Sequence, residues 1–283
     1  MKITIITVAY NSEYTIEQTI TSILNQTYKN IEYIIIDGGS SDKTINIIRK
    51  YEDKITYWIS EKDNGIYNAM NKGLLVATGD YIQFLNADDA LCNNHIIEDV
   101  VNTLKKYRYP DVFSGNIILV DEQFALEKLL KTLKSVEEIK NGGVIPHPGT
   151  FIKRDILKKF KFNENYKIVS DFELILRLAL ANKTFIFSNI AIAFFSTGGI
   201  SSNNEKLRRD EHYKVLEKYI GKEKAENFLK QEYCFINKLK KYIKIKLKDS
   251  NLLLRFKFIL GWKKHQCNNK YCRWCKKNNK GKC

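Results

Sequence analysis

Apolar and polar residues along the first two thirds of the chain follow two alternating patterns. Short apolar runs, typical of buried strands, occur at 3–9, 32–37, 55–59, 80–85, 111–119 and 184–194. Between them, apolar residues recur at helical spacing near 13–26, 42–52, 66–77 and 94–107. The order βαβαβαβ predicts an α/β domain, with a mostly parallel sheet flanked by helices and joined by right-handed crossovers.

The pattern and the charge both change near residue 200. A loop rich in glycine, serine and asparagine at 196–206 separates the last apolar run from a basic helical pattern. Residues 1–200 carry 23 Lys and Arg against 24 Asp and Glu, whereas residues 201–283 carry 24 against 8. We therefore predict two parts: an α/β domain at 1–200 and a basic, mainly helical C-terminal extension at 201–283.

The basic extension restricts the choice of partners. Over 235–265, Lys and Arg mix with Ile, Leu, Phe and Trp at helical spacing, as in amphipathic helices that lie on an anionic membrane surface. No nucleic-acid recognition motif is present, so no nucleic-acid partner is expected. No apolar run reaches the ~18 residues of a spanning helix, and the N-terminus alternates like a strand rather than a signal peptide. We expect a cytoplasmic protein, peripheral on the inner face of the cell membrane; helices packed on the body with solvated lysines are the alternative.

Four of the six cysteines crowd the end of the chain, at Cys267, Cys272, Cys275 and Cys283, with His265 nearby. Such a group fits either a zinc site or a basic end that carries reduced thiols. The spacing is irregular and contains a single C-x-x-C, which favours the second interpretation.

Polar residues follow the carboxyl ends of the predicted parallel strands, where ligands bind in such sheets. The four strand ends lead into Val8–Asn11, Asp37–Asp42, Glu61–Gly65 and Asn86–Asp89. Adjacent carboxylates after a buried strand are unfavourable unless a cation meets them, and an acidic rim repels a bare phosphate. These residues therefore predict a diphosphate ligand that is held through Mn²⁺ or Mg²⁺.

Other nucleotide-binding motifs are missing from the sequence. No G-x-G-x-x-G follows the first strand, and G-x-x-x-x-G-K-[ST] occurs nowhere. A sugar-phosphate nucleotidyltransferase would carry a glycine-rich, arginine-bearing loop after the first strand, where this chain has AYNSEYT. These absences disfavour dinucleotide-binding and P-loop proteins.

An ordered series of motifs across residues 1–200 resembles the inverting glycosyltransferases of family 2, which have the Rossmann-like GT-A fold. The series comprises TVAYN at 7–11, SILNQTY at 22–28, IIDGGSSDKT at 35–44, EKDNGIYNAMNKGLLVATGDYIQFLNADD at 61–89, HPGTF at 147–151 and YKIVSDFELILRL at 166–178. Each motif is weak alone, but their order and spacing make the resemblance specific. It implies transfer of a sugar from a nucleotide-sugar, a UDP-hexose or UDP-N-acetylhexosamine, to a hydroxyl of a glycan acceptor. With the basic extension, it points to a lipid-linked acceptor in bacterial surface polysaccharide biosynthesis.

The resemblance also implies which residues bind the donor. Tyr10 would lie against the nucleobase, Asp37 would accept a base N–H, and Asp63 would lie near the ribose or phosphates. Asp88 would ligate the metal with Asp89 beside it. The sequence departs from the common D-x-D pattern, because its first position is the uncharged Asn86, which we expect to bind a ribose hydroxyl. Val8, Asn11 and Gly65 complete the predicted donor-binding set.

A base is needed to remove the proton of the attacking hydroxyl. Asp171 begins a predicted helix and stands where the family's base stands. Glu173 is the alternative, and a carboxylate at a helix N-terminus can also be purely structural. His147 is an acceptor-side residue, a neighbour of the metal or a structural loop histidine.

Two other functions stay open on the sequence. One is a sugar-phosphate nucleotidyltransferase, which would turn over pyrophosphate. The other is a non-catalytic module that binds nucleotide-sugars, which would bind UDP without turnover. Release of UDP from a UDP-sugar in the presence of an acceptor distinguishes the glycosyltransferase from both.

Overall fold

The computed structural model describes residues 1–122, 125–198, 204–228, 257 and 260–264. The strands are β1 (Ile3–Ala9), β2 (Ile31–Asp37), β3 (Tyr57–Ser60), β4 (Tyr81–Phe84), β5 (Ala90–Leu91), β6 (Val112–Asp121), β7 (Leu126–Leu130), β8 (Thr150–Lys153), β9 (Phe185–Ser196) and β10 (Lys263–Lys264). The α-helices are α1 (Ile16–Leu24), α2 (Thr44–Arg49), α3 (Ile66–Val76), α4 (Ile96–Lys106), α5 (Val136–Lys140), α6 (Arg154–Phe160), α7 (Ser170–Leu180) and α8 (Glu205–Ile220). Two 3₁₀ turns lie at Glu52–Lys54 and His147–Gly149.

The described strands form one ten-stranded sheet in the order β10-β7-β6-β8-β4-β1-β2-β3, in which β9 pairs with β6 and β5 pairs with β9. In its first part, β1 is parallel to both β2 and β4, and β2 is parallel to β3. The register places Ala9 opposite Asp37, and Asp37 opposite Ser60. The predicted parallel arrangement of these four strands is confirmed, and their carboxyl ends lie at one edge.

Beyond β4 the sheet becomes mixed. β8 is antiparallel to both β4 and β6, while β9 runs parallel to β6. These pairings join strands that are distant in sequence, such as Gln83 of β4 with Phe151 of β8. The hydrophobic pattern of a strand does not specify such a distant partner.

Helices cover both faces of the sheet, which explains why all seven residues of β1 are buried. Ile6 and Val8 pack in a cluster with residues of α3 and α7. Ile3 and Ile5 pack in a second cluster with residues of α1 and α4. Alternate strand residues point to opposite faces, so a strand buried on both faces appears as a continuous apolar run.

Helix α8 lies in the predicted extension but packs on the α/β domain. The buried Glu211 carboxylate accepts the backbone N–H groups of Lys167 at 2.8 Å and Ile168 at 2.9 Å. His212 makes edge contacts with the rings of Phe172 and Phe228. Helix α8 therefore fixes the segment that leads into α7.

Only small parts of the remaining extension are described. Lys257 forms an ion pair with Asp121, and β10 pairs antiparallel with β7. Most of the predicted amphipathic region at 235–265 and all four terminal cysteines lie outside the described residues. Within the described ranges, no helix is both long enough and apolar enough to cross a bilayer.

The close packing of α3 on the sheet gives a stability prediction. A Cβ atom at Gly73 would lie 2.6 Å from Ile6 Cγ2 and 3.3 Å from Ile36 Cγ1. We expect Gly73→Val to lower the free energy of unfolding by about 1–3 kcal/mol, as overpacked cores do, measured by urea denaturation. Leu75→Val introduces the same residue at a position of α3 that is 68% exposed, and should change it by less than about 0.5 kcal/mol. Equal effects of the two substitutions would contradict this account of the α3 packing.

Candidate active site

The predicted donor-binding residues meet at the carboxyl edge of the parallel strands. The turn after β4 is held beside β1, because Ala87 donates its backbone N–H to the carbonyl of Val8 at 3.1 Å. The loop after β2 lies on the other side of β1, where Gly38 donates to the carbonyl of Ala9 at 2.8 Å. The structure therefore places Val8 between the Asp37 loop and the turn that carries Asn86 and Asp88.

Tyr10 and Asn11 form a platform at this edge. The Tyr10 side chain is 65% exposed, which is unusual for a large ring and leaves its surface accessible. Asn11 has a left-handed backbone with φ of 48°. Its N–H donates to Ser40 Oγ at 2.8 Å, and its side-chain oxygen accepts the N–H of Ser41 at 2.9 Å. These bonds fix the loop that presents the Tyr10 ring.

Asp37 is fully buried and shapes the loop that follows it. Its Oδ2 atom accepts the N–H groups of Gly39 at 3.1 Å and Ser40 at 2.9 Å, and the hydroxyl of Ser60 at 2.6 Å. Its Oδ1 atom accepts the hydroxyl of Ser40 at 2.5 Å. Both oxygens are thus engaged within the protein, and the contact of Asp37 with a nucleobase stays a prediction.

Asp63 lies against the loop that follows β2. Its Oδ1 atom accepts the N–H of Gly65 at 2.8 Å. A Cβ atom at Gly38 would lie only 2.4 Å from Asp63 Oδ2, so the absence of a side chain at Gly38 allows this approach. Gly65 has a φ of 114°, which favours glycine. Open space surrounds the position of its missing side chain, so backbone conformation is the requirement that the described residues place on Gly65.

The two carboxylates after β4 have different surroundings. Asp88 is partly exposed, whereas Asp89 is 1% exposed. The Asp89 backbone donates to the carbonyl of Asn86 at 3.0 Å and accepts the hydroxyl of Thr19 at 2.6 Å. The turn is therefore anchored on α1, and Asp88 is the more accessible of the two predicted metal ligands.

The oxygen atoms at this turn suit a divalent cation that binds together with a phosphate-bearing substrate. Among the described residues, no three His, Cys, Asp or Glu side chains are grouped as a protein-only metal site. Mg²⁺ and similar ions are often held by one or two carboxylates together with substrate phosphates and waters. Asn86 Oδ1 is buried and makes no hydrogen bond to another described residue, so this turn has an unused oxygen acceptor beside its carboxylates. The oxygen atoms of Asn86, Asp88 and Asp89 therefore fit such a cation.

A chain of polar contacts joins this turn to α7. Asn86 Nδ2 lies 3.2 Å from His147 Nε2, and His147 Nδ1 lies 3.4 Å from Asp171 Oδ2. An amide NH₂ only donates, so His147 accepts at Nε2 and carries its proton on Nδ1, toward Asp171. His147 therefore links Asn86 to Asp171.

Asp171 combines partial burial with several hydrogen-bond donors. Burial acts to raise the pKa of its carboxyl, but His147, the backbone N–H of Phe172 and the Tyr67 hydroxyl together hold the pKa below its ordinary value. The Tyr67 hydroxyl lies 3.0 Å from Asp171 Oδ1. The side chain retains 24% exposure. Asp171 is consequently an ionised carboxylate at neutral pH with an accessible surface.

Glu173 differs from Asp171 in its exposure and in its partners. It is 1% exposed, and its two oxygens accept from Arg177 Nε at 2.8 Å and from the Tyr219 hydroxyl at 2.6 Å. Arg177 also donates to the carbonyl of Phe160 at 2.8 Å. Glu173 thus connects α7 with α8 and with the end of α6, and of the two acidic residues Asp171 is the one with an accessible carboxylate.

Several residues of the site escaped the sequence analysis. The hydroxyls of Ser40 and Ser60 donate hydrogen bonds to Asp37. Gly38 lacks a side chain and so lets Asp63 approach, and the Tyr67 hydroxyl contacts Asp171. All four lie within or beside the motifs at 35–44 and 61–89. In the sequence, however, the glycine and serines look like ordinary turn residues, and Tyr67 looks like an aromatic residue of the core. A polar hydroxyl on the buried Tyr67 was the available signal, because such a group requires a partner.

A family model and individual relatives both match this chain to glycosyltransferases. Residues 4–161 match the family model described as Glycosyl transferase family 2, a range that contains every predicted donor-binding residue and ends before Asp171. An uncharacterized glycosyltransferase of Haemophilus influenzae is 30% identical over 215 residues, which cover 73% of this chain and 83% of that protein. The minor teichoic acid biosynthesis protein GgaB of Bacillus subtilis is 32% identical over 177 residues, which cover 59% of this chain and 20% of that protein.

The fold is also similar to a solved structure. The crystal structure of S. aureus TarS 1–349 in complex with UDP-GlcNAc aligns with a TM-score of 0.61 at 21% identity, over 76% of this chain and 64% of that chain. At this identity the likeness concerns the fold, and it confirms the predicted GT-A architecture.

Proposed function

The chain belongs to glycosyltransferase family 2, and we propose that it is a metal-dependent inverting enzyme that moves a hexose or N-acetylhexosamine from a UDP-sugar to a hydroxyl of a glycan. The observation that carries the proposal is the contact chain from Asn86 through His147 to Asp171. It connects the turn that bears Asp88 with an ionised, accessible carboxylate. One site thus contains groups for the leaving diphosphate and a group for the attacking hydroxyl.

Asp171 acts as the general base in this proposal. The acceptor hydroxyl attacks the anomeric carbon of the sugar while its proton passes to Asp171. The Asp171 carboxylate is suited to the task because its lowered pKa keeps it ionised at neutral pH. His147 holds the carboxylate in position through Oδ2, which supports an acceptor-side role for this histidine rather than a purely structural one.

The donor lies along the carboxyl edge of β1, β2 and β4. The exposed Tyr10 ring stacks on the nucleobase, as a flat aromatic surface does with little entropy loss. Asp63 with Gly65 faces the ribose or phosphates, and Asn86 binds a ribose hydroxyl. Asp37 accepts a base N–H at one of the oxygens that now bind its own loop.

Asp88 and Asp89 would hold Mn²⁺ or Mg²⁺, which neutralises the charge on the departing diphosphate when bound. The partial exposure of Asp88 supports its assignment as the main protein ligand. Asn86 in place of a third carboxylate lowers the negative charge of the turn. The chain's own contribution at this turn is therefore two carboxylates and the amide of Asn86.

The acceptor is proposed to be a lipid-linked glycan at an anionic membrane surface, in surface polysaccharide assembly. The similarity to GgaB, a minor teichoic acid biosynthesis protein, supports this class of product. The 24 basic against 8 acidic residues of 201–283 support attraction to anionic lipid. Membership of the family argues against a sugar-phosphate nucleotidyltransferase. UDP release in the presence of an acceptor separates the enzyme from a non-catalytic module that binds nucleotide-sugars.

The role of Asp171 can be tested by Asp171→Asn, which keeps the size of the side chain but removes the proton acceptor. We expect turnover to fall by roughly 10²- to 10⁴-fold, the usual contribution of a general base, while UDP-sugar affinity stays unchanged. Steady-state kinetics and calorimetry measure the two quantities. Asp99→Asn, an exposed helix carboxylate, is the matched control. Turnover within a few-fold of wild type would exclude Asp171 as the base.

The role of the cation can be tested by Asp88→Ala together with chelation. Asp88→Ala should abolish detectable transfer, and EDTA should do the same to the wild type until Mn²⁺ or Mg²⁺ is restored, because an unneutralised diphosphate is a poor leaving group. Asp53→Ala, which removes an exposed carboxylate elsewhere, should retain activity. Full wild-type activity in EDTA would contradict metal dependence.

The role of the basic extension can be tested with a chain that ends at residue 235 and with a full-length chain in which Lys238, Lys240, Lys241, Lys244, Lys246 and Lys248 are replaced by Gln. Both should bind UDP-sugar normally but lose co-sedimentation with anionic vesicles. In the wild type, added salt should weaken this association by screening the charges. The full-length variant keeps the β10–β7 pairing, so it separates charge from the loss of β10. Vesicle binding as tight as wild type in both variants would exclude the extension as the membrane anchor.

A further inference from the structure

The Tyr67 hydroxyl lies between two hydrogen-bond acceptors. It is 2.6 Å from the backbone carbonyl of Ile168 and 3.0 Å from Asp171 Oδ1. A phenol has a single hydrogen to donate, whereas its oxygen can also accept a hydrogen bond. When Asp171 is ionised, the carboxylate and the carbonyl therefore compete for one hydrogen.

Packing restrains the groups on both sides of this contact. The Tyr67 ring is 6% exposed and stacks on Phe162 with centroids 5.6 Å apart. Ile168 is held on its N-terminal side, because its backbone N–H donates to Glu211 of α8 at 2.9 Å. These contacts hold the Tyr67 hydroxyl close to the Ile168 carbonyl.

Protonation of Asp171 removes the competition. The acid can then donate its own hydrogen to the Tyr67 oxygen, and the Tyr67 hydrogen can turn fully to the Ile168 carbonyl. Both short contacts become hydrogen bonds with distinct donors. The same geometry thus accommodates Asp171 before and after it gains a proton.

We propose that Tyr67 is a positioning residue for Asp171, which donates its hydroxyl hydrogen to the carboxylate before transfer and turns it to the Ile168 carbonyl once Asp171 has taken the acceptor's proton. This role rests on the proposed function of Asp171 as the base.

The acceptor O–H bond breaks and its proton forms an O–H bond on Asp171, while the acceptor oxygen forms a bond to the anomeric carbon. The bond from that carbon to the diphosphate breaks, and its electron pair leaves with the UDP. Tyr67 neither gains nor loses a proton overall, because only the direction of its O–H bond changes.

Tyr67→Phe tests the proposal, because it keeps the ring and its stacking on Phe162. Turnover should fall roughly tenfold to a hundredfold, the effect of losing one hydrogen bond to a charged group, while the KM for the UDP-sugar stays unchanged. The acid limb of the turnover profile should also move to higher pH. The reason is that the Tyr67 hydrogen bond helps to lower the pKa of Asp171, so its removal leaves the base protonated at a higher pH than in the wild type. The other titratable groups that influence Asp171 are His147 and His212, and both are unchanged in this variant.

Tyr81→Phe is the matched control. Tyr81 is 2% exposed, and its hydroxyl donates to the carbonyl of Pro110 at 2.5 Å, so its loss removes a buried hydrogen bond away from Asp171. The acid limb of the turnover profile of Tyr81→Phe should coincide with that of the wild type. Equal shifts in the two variants, or a wild-type profile in Tyr67→Phe, would overturn the proposal.

A double variant keeps the test decisive if Tyr67→Phe lowers stability. In an Asp171→Asn background no carboxyl group is left for Tyr67 to position, so adding Tyr67→Phe should reduce the residual turnover by less than twofold. A full additional loss would assign the effect to the fold and overturn the proposal. If Asp171→Asn alone retains wild-type turnover, the proposed base itself fails, an outcome distinct from a silent Tyr67→Phe.

Discussion

A carboxylate that stays ionised while partly withdrawn from water is the constraint on which the candidate active site depends. Burial disfavours the charge of Asp171, and donors from three separate parts of the chain, Tyr67 of α3, His147 of the 3₁₀ turn and the N–H of Phe172, offset it. Of these three donors, only Phe172 is adjacent to Asp171 in the sequence. The charge is therefore stable only when α3, α7 and the loop before β8 are all in place.

The rest of the fold provides those positions. Parallel pairing of β1 with β2 and β4 brings three loops to one edge, and the hydrogen bonds that the buried Asp37 carboxylate accepts fix the shape of the loop after β2. Helix α8 holds the segment before Asp171 through Glu211, while Glu173 and Tyr219 connect α8 to α7. Glu173 and Glu211 are thus engaged in contacts between elements of the fold, whereas Asp171 and Asp88 keep accessible surface for chemistry.

The first half of the fold could be predicted because its information is local. Strands β1 to β4 are apolar runs separated by amphipathic helices, a pattern that predicts parallel strands joined by helical crossovers. The contact of Asn86 with His147 could not be predicted, since it joins residues 61 positions apart through β8, whose antiparallel pairing with β4 leaves no periodic signal. Likewise, nothing local distinguishes Asp171 from Glu173. Their difference arises from Arg177 and Tyr219, which surround Glu173 only after α7 and α8 have packed.

The most direct test of the account compares acceptors that do and do not require a base. Azide attacks an anomeric carbon without losing a proton, whereas a sugar hydroxyl must lose one. If Asp171 serves to remove that proton, Asp171→Asn should form the glycosyl azide from the UDP-sugar at a rate within a few-fold of wild type, while transfer to the hydroxyl acceptor collapses. Product analysis by mass spectrometry measures both reactions in parallel. An equal loss of the two reactions would show that Asp171 acts on the donor or on the fold, and would contradict its role as the base.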